Sequence, residues 1–150
     1  MIRFTVPGDP VGQGRARSTK SGMHYTPART RKYEAAVAAA AGSAMRVAGL
    51  QPLTCPVRLI VECRFAVPVS WPSWKRQDAL DQRILPTCRP DLDNVLKAVK
   101  DGLNGIAWTD DAQVVVVVGE KYYWPRAEVE VCIEPVSAAS ANAKRGDIAA

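Results

Sequence analysis

The sequence predicts a single α/β domain of the α+β kind. A mixed or largely antiparallel sheet of about four strands is flanked by two main helices, in the order β-α-β-α-β-β. Three observations predict it. Residues 2–6, 57–67, 113–124 and 127–134 have the apolar patterning of strands, and 30–47 and 93–103 repeat apolar residues at helical intervals. The 150 residues suffice for one domain with a modest core, and no internal repeat is present.

Residues 2–6 (IRFTV) alternate apolar and polar side chains, as a half-buried strand does. Residues 7–14 form a Gly/Pro-rich loop, not a phosphate-binding loop, because no G-K-[ST] follows. Arg15, Arg17 and Lys20 come next, on a segment that reads either as a phosphate-contacting arm or as a solvated loop. His24, the sole histidine, has no partner recognisable from sequence. An Ala-rich helix starting near Thr30 and reaching Val47 has Tyr33, Val37, Ala40, Ala41 and Met45 on its apolar side, and its small residues allow close packing. In VRLIVECRFAV (57–67), Val57, Leu59, Val61, Cys63 and Phe65 share one face, and Pro68 stops the strand.

Residues 69–90 carry Trp71, Trp74, Lys75, Arg76 and Arg83, with weak helical character over 73–82. Their aromatics and cations suit either stacking on unpaired bases over a site or packing on the core. Val95, Leu96, Val99, Leu103 and Ile106 then define an amphipathic helix over 93–103, with Asp93 in the N-cap position and Asn104-Gly105 as its stop. Residues 106–108 read as a short buried segment before a turn at 109–111. The following VVVVV run reads as a central strand or a dimer interface, and Pro125-Arg126 turns it into the last strand. The tail 137–150 (SAASANAKRGDIAA) lacks bulky apolar residues and is expected to be disordered, leaving 1–136 as the domain.

The informative stretch is RPDLDNVLKAVKDGLNGIAWTDDAQV (89–114). Asp91 and Asp93 open its helix; Asp110 and Asp111 follow it. Each acid has an ordinary reading as a cap, a turn residue or half of a surface ion pair. Together, in a chain of net charge +5, they equally suit a hard divalent cation, which takes carboxylate oxygens and keeps waters for a phosphate substrate. Lys97 lies one turn after Asp93 on the same side. The basic excess is greatest before residue 50: Arg3, Arg15, Arg17, Lys20, Arg29, Arg31, Lys32 and Arg46 against Asp9 and Glu34. That asymmetry suits a polyanion, though also a merely soluble surface.

This stretch resembles the signature of the RusA-type Holliday-junction resolvases, a D-x-D-N-x-x-K helix followed by D-D-x-Q-[VI], with every position filled. GDPVGQGRAR and HYTPARTRKYE are similar to the family's basic loop and first helix. The resemblance spans most of 1–134 and is poorest at 68–88. It implies a homodimeric endonuclease that nicks four-way DNA junctions symmetrically with Mg²⁺, or Mn²⁺ as a substitute, leaving 5′-phosphate ends. By resemblance Asp91, Asp93 and Asp111 are the metal-binding acidic triad and Lys97 the catalytic lysine. Arg15, Arg17, Lys20, Arg29 and Lys121 are then the expected DNA contacts, although for Lys121 an edge-strand lysine is an equal reading. Asp110 is either a neighbour of the ligands or a turn residue, and Asp101 is expected to pair with or orient Lys97. A non-catalytic branched-DNA binder and a nuclease for flaps remain alternatives.

Other classes are disfavoured. No apolar run is long enough to span a bilayer, and Met1-Ile2-Arg3 leads straight into a strand rather than a signal peptide. Cys55, Cys63, Cys88 and Cys132 show no C-x-x-C spacing, so neither a zinc site nor a small-molecule cofactor is expected. Cys63 and Cys132 read as small core residues, and a reduced cytoplasmic setting fits.

Overall fold

Alternation at the start of the chain becomes strand β1 (Ile2–Pro7), with Ile2, Phe4 and Val6 turned into the core. A computed structural model describes residues 1–138, so the expected disorder of 137–150 lies almost wholly outside the described residues. Two short strands, β2 (Arg17–Ser18) and β3 (His24–Tyr25), pair as a small hairpin whose turn carries Lys20. The remaining elements are α1 (Ala28–Val47), β4 (Val57–Ala66), α2 (Ser73–Leu80), α3 (Leu92–Leu103), β5 (Val114–Trp124) and β6 (Glu128–Pro135).

The four long strands form one mixed sheet in the order β1-β6-β4-β5. β6 runs antiparallel to both β1 and β4, whereas β4 and β5 are parallel. A parallel pair needs a crossover connection, and the segment containing α2 and α3 supplies it. The predicted α+β class and mixed four-stranded sheet are therefore present, with α2 and the hairpin added to the expected order. β5 is not central. It closes one edge of the sheet, with Val115, Val117 and Val118 exposed, because the valine run satisfies β-propensity without being covered on both faces.

α1 and α3 pack against each other. α1 buries Thr30, Tyr33, Val37, Ala41 and Met45; α3 buries Val95, Ala98, Val99, Gly102 and Leu103. The apolar period of 93–103 is thus realised, but the helix starts at Leu92, with Asp91 rather than Asp93 in the N-cap position. The helices meet most closely at Gly102, where a Cβ would lie 2.8 Å from the Glu34 carbonyl oxygen and 2.9 Å from the Val37 Cβ. Gly102→Ala is expected to destabilise the fold by about 1–3 kcal/mol, even though alanine is the better helix former, because backbone must move apart. Chemical denaturation of the two proteins measures this, and equal midpoints would show that the helices separate freely.

Candidate active site

The site begins at α3. Its apolar stripe fixes the helix against α1 and the sheet, which leaves Asp91, Asp93 and Lys97 on the exposed side. Although Asp91 occupies the N-cap position, its carboxylate accepts no capping hydrogen bond. Asp93, in the first turn, meets only the Lys97 ammonium, at 3.9 Å, with 71% and 60% of their side chains exposed. An ion pair so open adds little stability. The fold therefore makes almost no use of these carboxylates.

Asp111 is placed differently. Trp108, fully buried, donates its indole Nε1–H to Asp111 Oδ1 at 2.8 Å. The turn before β5 is built by its neighbours. Asp110 Oδ1 accepts from the Ala112 amide at 2.8 Å, while Gln113 Oε1 accepts from the Thr109 and Asp110 amides. Gln113 Nε2 in turn donates to the Leu53 and Cys55 carbonyls, tying the turn to the segment that precedes β4. Asp110 is thus a turn and capping residue, while the Asp111 carboxylate takes no part in the capping and accepts only from Trp108.

Among the described residues, no group of three or more His, Cys, Asp or Glu side chains is poised to hold a metal ion. Asp111 instead acts electrostatically on Asp101, two helical turns or about 12 Å beyond Asp93. Nor does Asp101 orient Lys97. It accepts a 2.6 Å hydrogen bond from Gln13 Nε2, and Lys97 turns toward Asp93.

Beside Asp91 opens a cleft of about 740 Å³, lined by the loop 10–15, Arg17, Arg29, Arg89, Pro90 and Asn94. Its near wall exists because Gly12 passes tightly over the start of α3, where a Cβ would sit 3.0 Å from the Pro90 Cβ and 3.1 Å from the Asn94 Cβ. The Gln13 amide also donates to the Asn94 carbonyl at 2.9 Å. Arg15, Arg17 and Arg29 therefore share one cleft with the acidic end of α3. Lys20, in the hairpin turn, does not line it. The Lys121 ammonium donates to the Cys88 and Pro90 carbonyls, outside the cleft. Over α2 the two sequence readings divide, since Trp71 packs edge-on against Tyr123 (5.3 Å between rings) while Trp74 is exposed.

Comparison with known proteins bears on this arrangement. Residues 7–134 match the family described as Endodeoxyribonuclease RusA. The chain belongs to the RusA family. A RusA-family assignment makes it a member of a group of DNA endonucleases that act at Holliday junctions. It is also 38% identical over 141 residues to the uncharacterized protein YqaN of Bacillus subtilis (strain 168), covering 91% of this chain and 98% of that protein.

Within this RusA-family site, sequence reasoning missed Arg89 and the structural role of Gln113. Arg89 directly precedes the acidic motif, which was the available signal; the bonds of Gln113 depend on residues 53–55, remote in sequence. A second acidic pair also emerged. Burial first, and then the Asp111 charge, push the Asp101 carboxyl above its ordinary value despite the Gln13 bond and Lys100. Burial and the Asp101 charge do the same to Glu34. A carboxyl with a raised folded-state pKa holds its proton more tightly when folded, so its contribution to stability is lost as pH rises through that raised value. Asp101→Asn keeps an acceptor for Gln13 and removes the charge. It is expected to raise the neutral-pH melting temperature and to flatten the fall in stability above the carboxylate range. Melting curves across about pH 4–7 read this directly, and an unaltered slope would exclude the repulsion.

Proposed function

We propose that this protein is a Mg²⁺-dependent endonuclease that resolves Holliday junctions by paired symmetric nicks, in DNA recombination and repair in the cytoplasm. The observation that carries the reading is the start of α3, where Asp91 and Asp93 are exposed, two residues apart and unused by the fold, with Lys97 beside Asp93. These donors fit a hard cation that needs only one or two carboxylates and keeps its waters. Asp91 and Asp93 would hold it, with Asp111 as the third ligand of the family pattern.

The bound ion supplies a more acidic water and a polarised phosphoryl oxygen. Lys97 brings a positive charge to the scissile phosphate and stabilises the negative charge that builds there. Arg15, Arg17, Arg29 and Arg89 hold the flanking backbone in the cleft, and Lys20 extends this track to the hairpin. Hydrolysis leaves 5′-phosphate and 3′-hydroxyl ends. A homodimer suits the task because two strands related by a two-fold axis need two related sites.

The test is cleavage of labelled four-way junction, flap and linear duplex substrates with Mg²⁺ or EDTA. Paired nicks on the junction, dependent on Mg²⁺, are expected. Preferential cutting of flaps would reassign the substrate, and binding without cutting in every condition would remove the enzymatic reading.

A further inference from the structure

The arrangement at Lys121 points to a positioning role. We propose that Lys121 sets the loop carrying Asp91, and thereby the metal-binding geometry, rather than touching DNA. The inference rests on the nuclease reading for its consequence, though not for its geometry. Lys121 lies on β5 opposite Cys63 of β4, and its ammonium passes near the Phe65 ring (5.2 Å to the centroid). From there Nζ donates to the Cys88 carbonyl at 2.5 Å and the Pro90 carbonyl at 3.1 Å. Two of its three protons are thus spent on the backbone just before Asp91.

The connection is short. Pro90 has no amide proton, so its carbonyl is its only backbone hydrogen-bonding group, and Lys121 takes it. The Asp91 carbonyl accepts the Asn94 and Val95 amides that begin α3. The loop is therefore clamped on one side by β5 and on the other by the helix, with the Asp91 carboxylate between the clamps and free of both. A charged donor on a strand holds a carbonyl more firmly than a neutral one. Of the two contacts the one to Pro90 is part-buried, and salt in solution screens it much less than it screens a phosphate contact.

Lys121→Met, which keeps the apolar stem and removes the donors, separates the two roles. In the metal-free protein, amide hydrogen exchange over 88–95 is expected to quicken while the rest of the sheet is unchanged. The Mg²⁺ concentration for half-maximal cleavage, and that for thermal stabilisation of the DNA-free protein, should both rise about tenfold, as for outer-shell partners of metal ligands. Junction affinity in EDTA should stay within about twofold, with the same salt dependence, whereas losing a phosphate contact would weaken binding and lower the salt slope by about one. Unchanged exchange together with weakened, less salt-dependent junction binding would overturn the proposal. Should the methionine variant not fold, Lys121→Gln keeps one neutral donor and is expected to show a smaller change in the same direction. Absence of cleavage by the wild type would end the nuclease reading, while the exchange experiment would still decide whether Lys121 holds the loop.

Discussion

Asp93→Asn is expected to lower Mg²⁺-supported junction cleavage by about 10³-fold or more while leaving stability within about 0.5 kcal/mol of the wild type. The separation of the two effects follows from how the residue is held. Asp93 is exposed, does not cap α3, and pairs only with the equally exposed Lys97 at 3.9 Å. Asparagine preserves its size but removes a charged oxygen donor, which weakens the hold on a hard cation far more than it disturbs the helix. Junction binding in EDTA should be unchanged or somewhat tighter, since one negative charge near the phosphates is gone. Single-turnover cleavage, equilibrium binding and a melting curve on the same preparation resolve the three quantities. A variant that cuts like the wild type would place the chemistry elsewhere, and one that fails to fold would make Asp93 structural.

The parts of this molecule legible in the sequence are those written at short range. Val95, Val99 and Leu103 predicted α3 because a helix repeats its contacts every few residues, and the D-x-D spacing announced the exposed acids at its start. Cys63 was readable as core for the same reason, being in phase with its strand, whereas Cys132, though buried, lies out of phase with Val129, Val131 and Ile133, on the other face of the sheet beside Arg3 and Ile60. What was not legible depended on partners remote in the chain. Lys121 looked free until Cys88 and Pro90 folded beneath it, and Asp101 looked like a partner for Lys97 until Gln13 crossed the helix to meet it. The valine run of β5 was read as a central strand or a dimer interface because five valines resemble a doubly covered strand; edge position depends on which strand β4 takes as its other neighbour, and that is β6. The acids expected as ligands are the intermediate case: Asp91 and Asp93 are exposed two residues apart, as their spacing indicated, whereas the hydrogen bond by which Trp108 holds Asp111 was not legible.

The largest structural effect is expected on the sheet face opposite the helices, where Arg64→Met should cost about 3–5 kcal/mol. Seen along β4 alone, Glu62 and Arg64 are the outward members of an alternating strand. Across three strands they are a network. Arg64 donates from Nε to the Tyr122 hydroxyl (2.7 Å), from Nη1 to Glu128 (2.8 Å) and from Nη2 to Glu62 (2.9 Å), and also pairs with Glu130. Its guanidinium stacks over Trp124 at 4.8 Å, and only 13% of the side chain is exposed. Burial works against the charge of Glu62, yet Tyr122 and Arg64 together hold its carboxyl below the ordinary range. For Glu128 the Arg64 bond is the leading cause of the same downward shift, opposed by burial and aided by Arg126. Depressed carboxyls contribute stability that is present above their unfolded-state values and is lost as pH falls through the folded ones. Removing Arg64 reverses the sign. Glu62, Glu128 and Glu130 would then face one another with only the outlying Arg3 and Arg126 to offset them, which raises the folded-state values of Glu62 and Glu128, so the variant should gain stability as pH falls from neutrality toward the carboxylate range. Denaturation of Arg64→Met at about pH 7 and pH 5 tests both claims, because a large loss at the higher pH and partial recovery at the lower one is the opposite of what simple acid destabilisation produces.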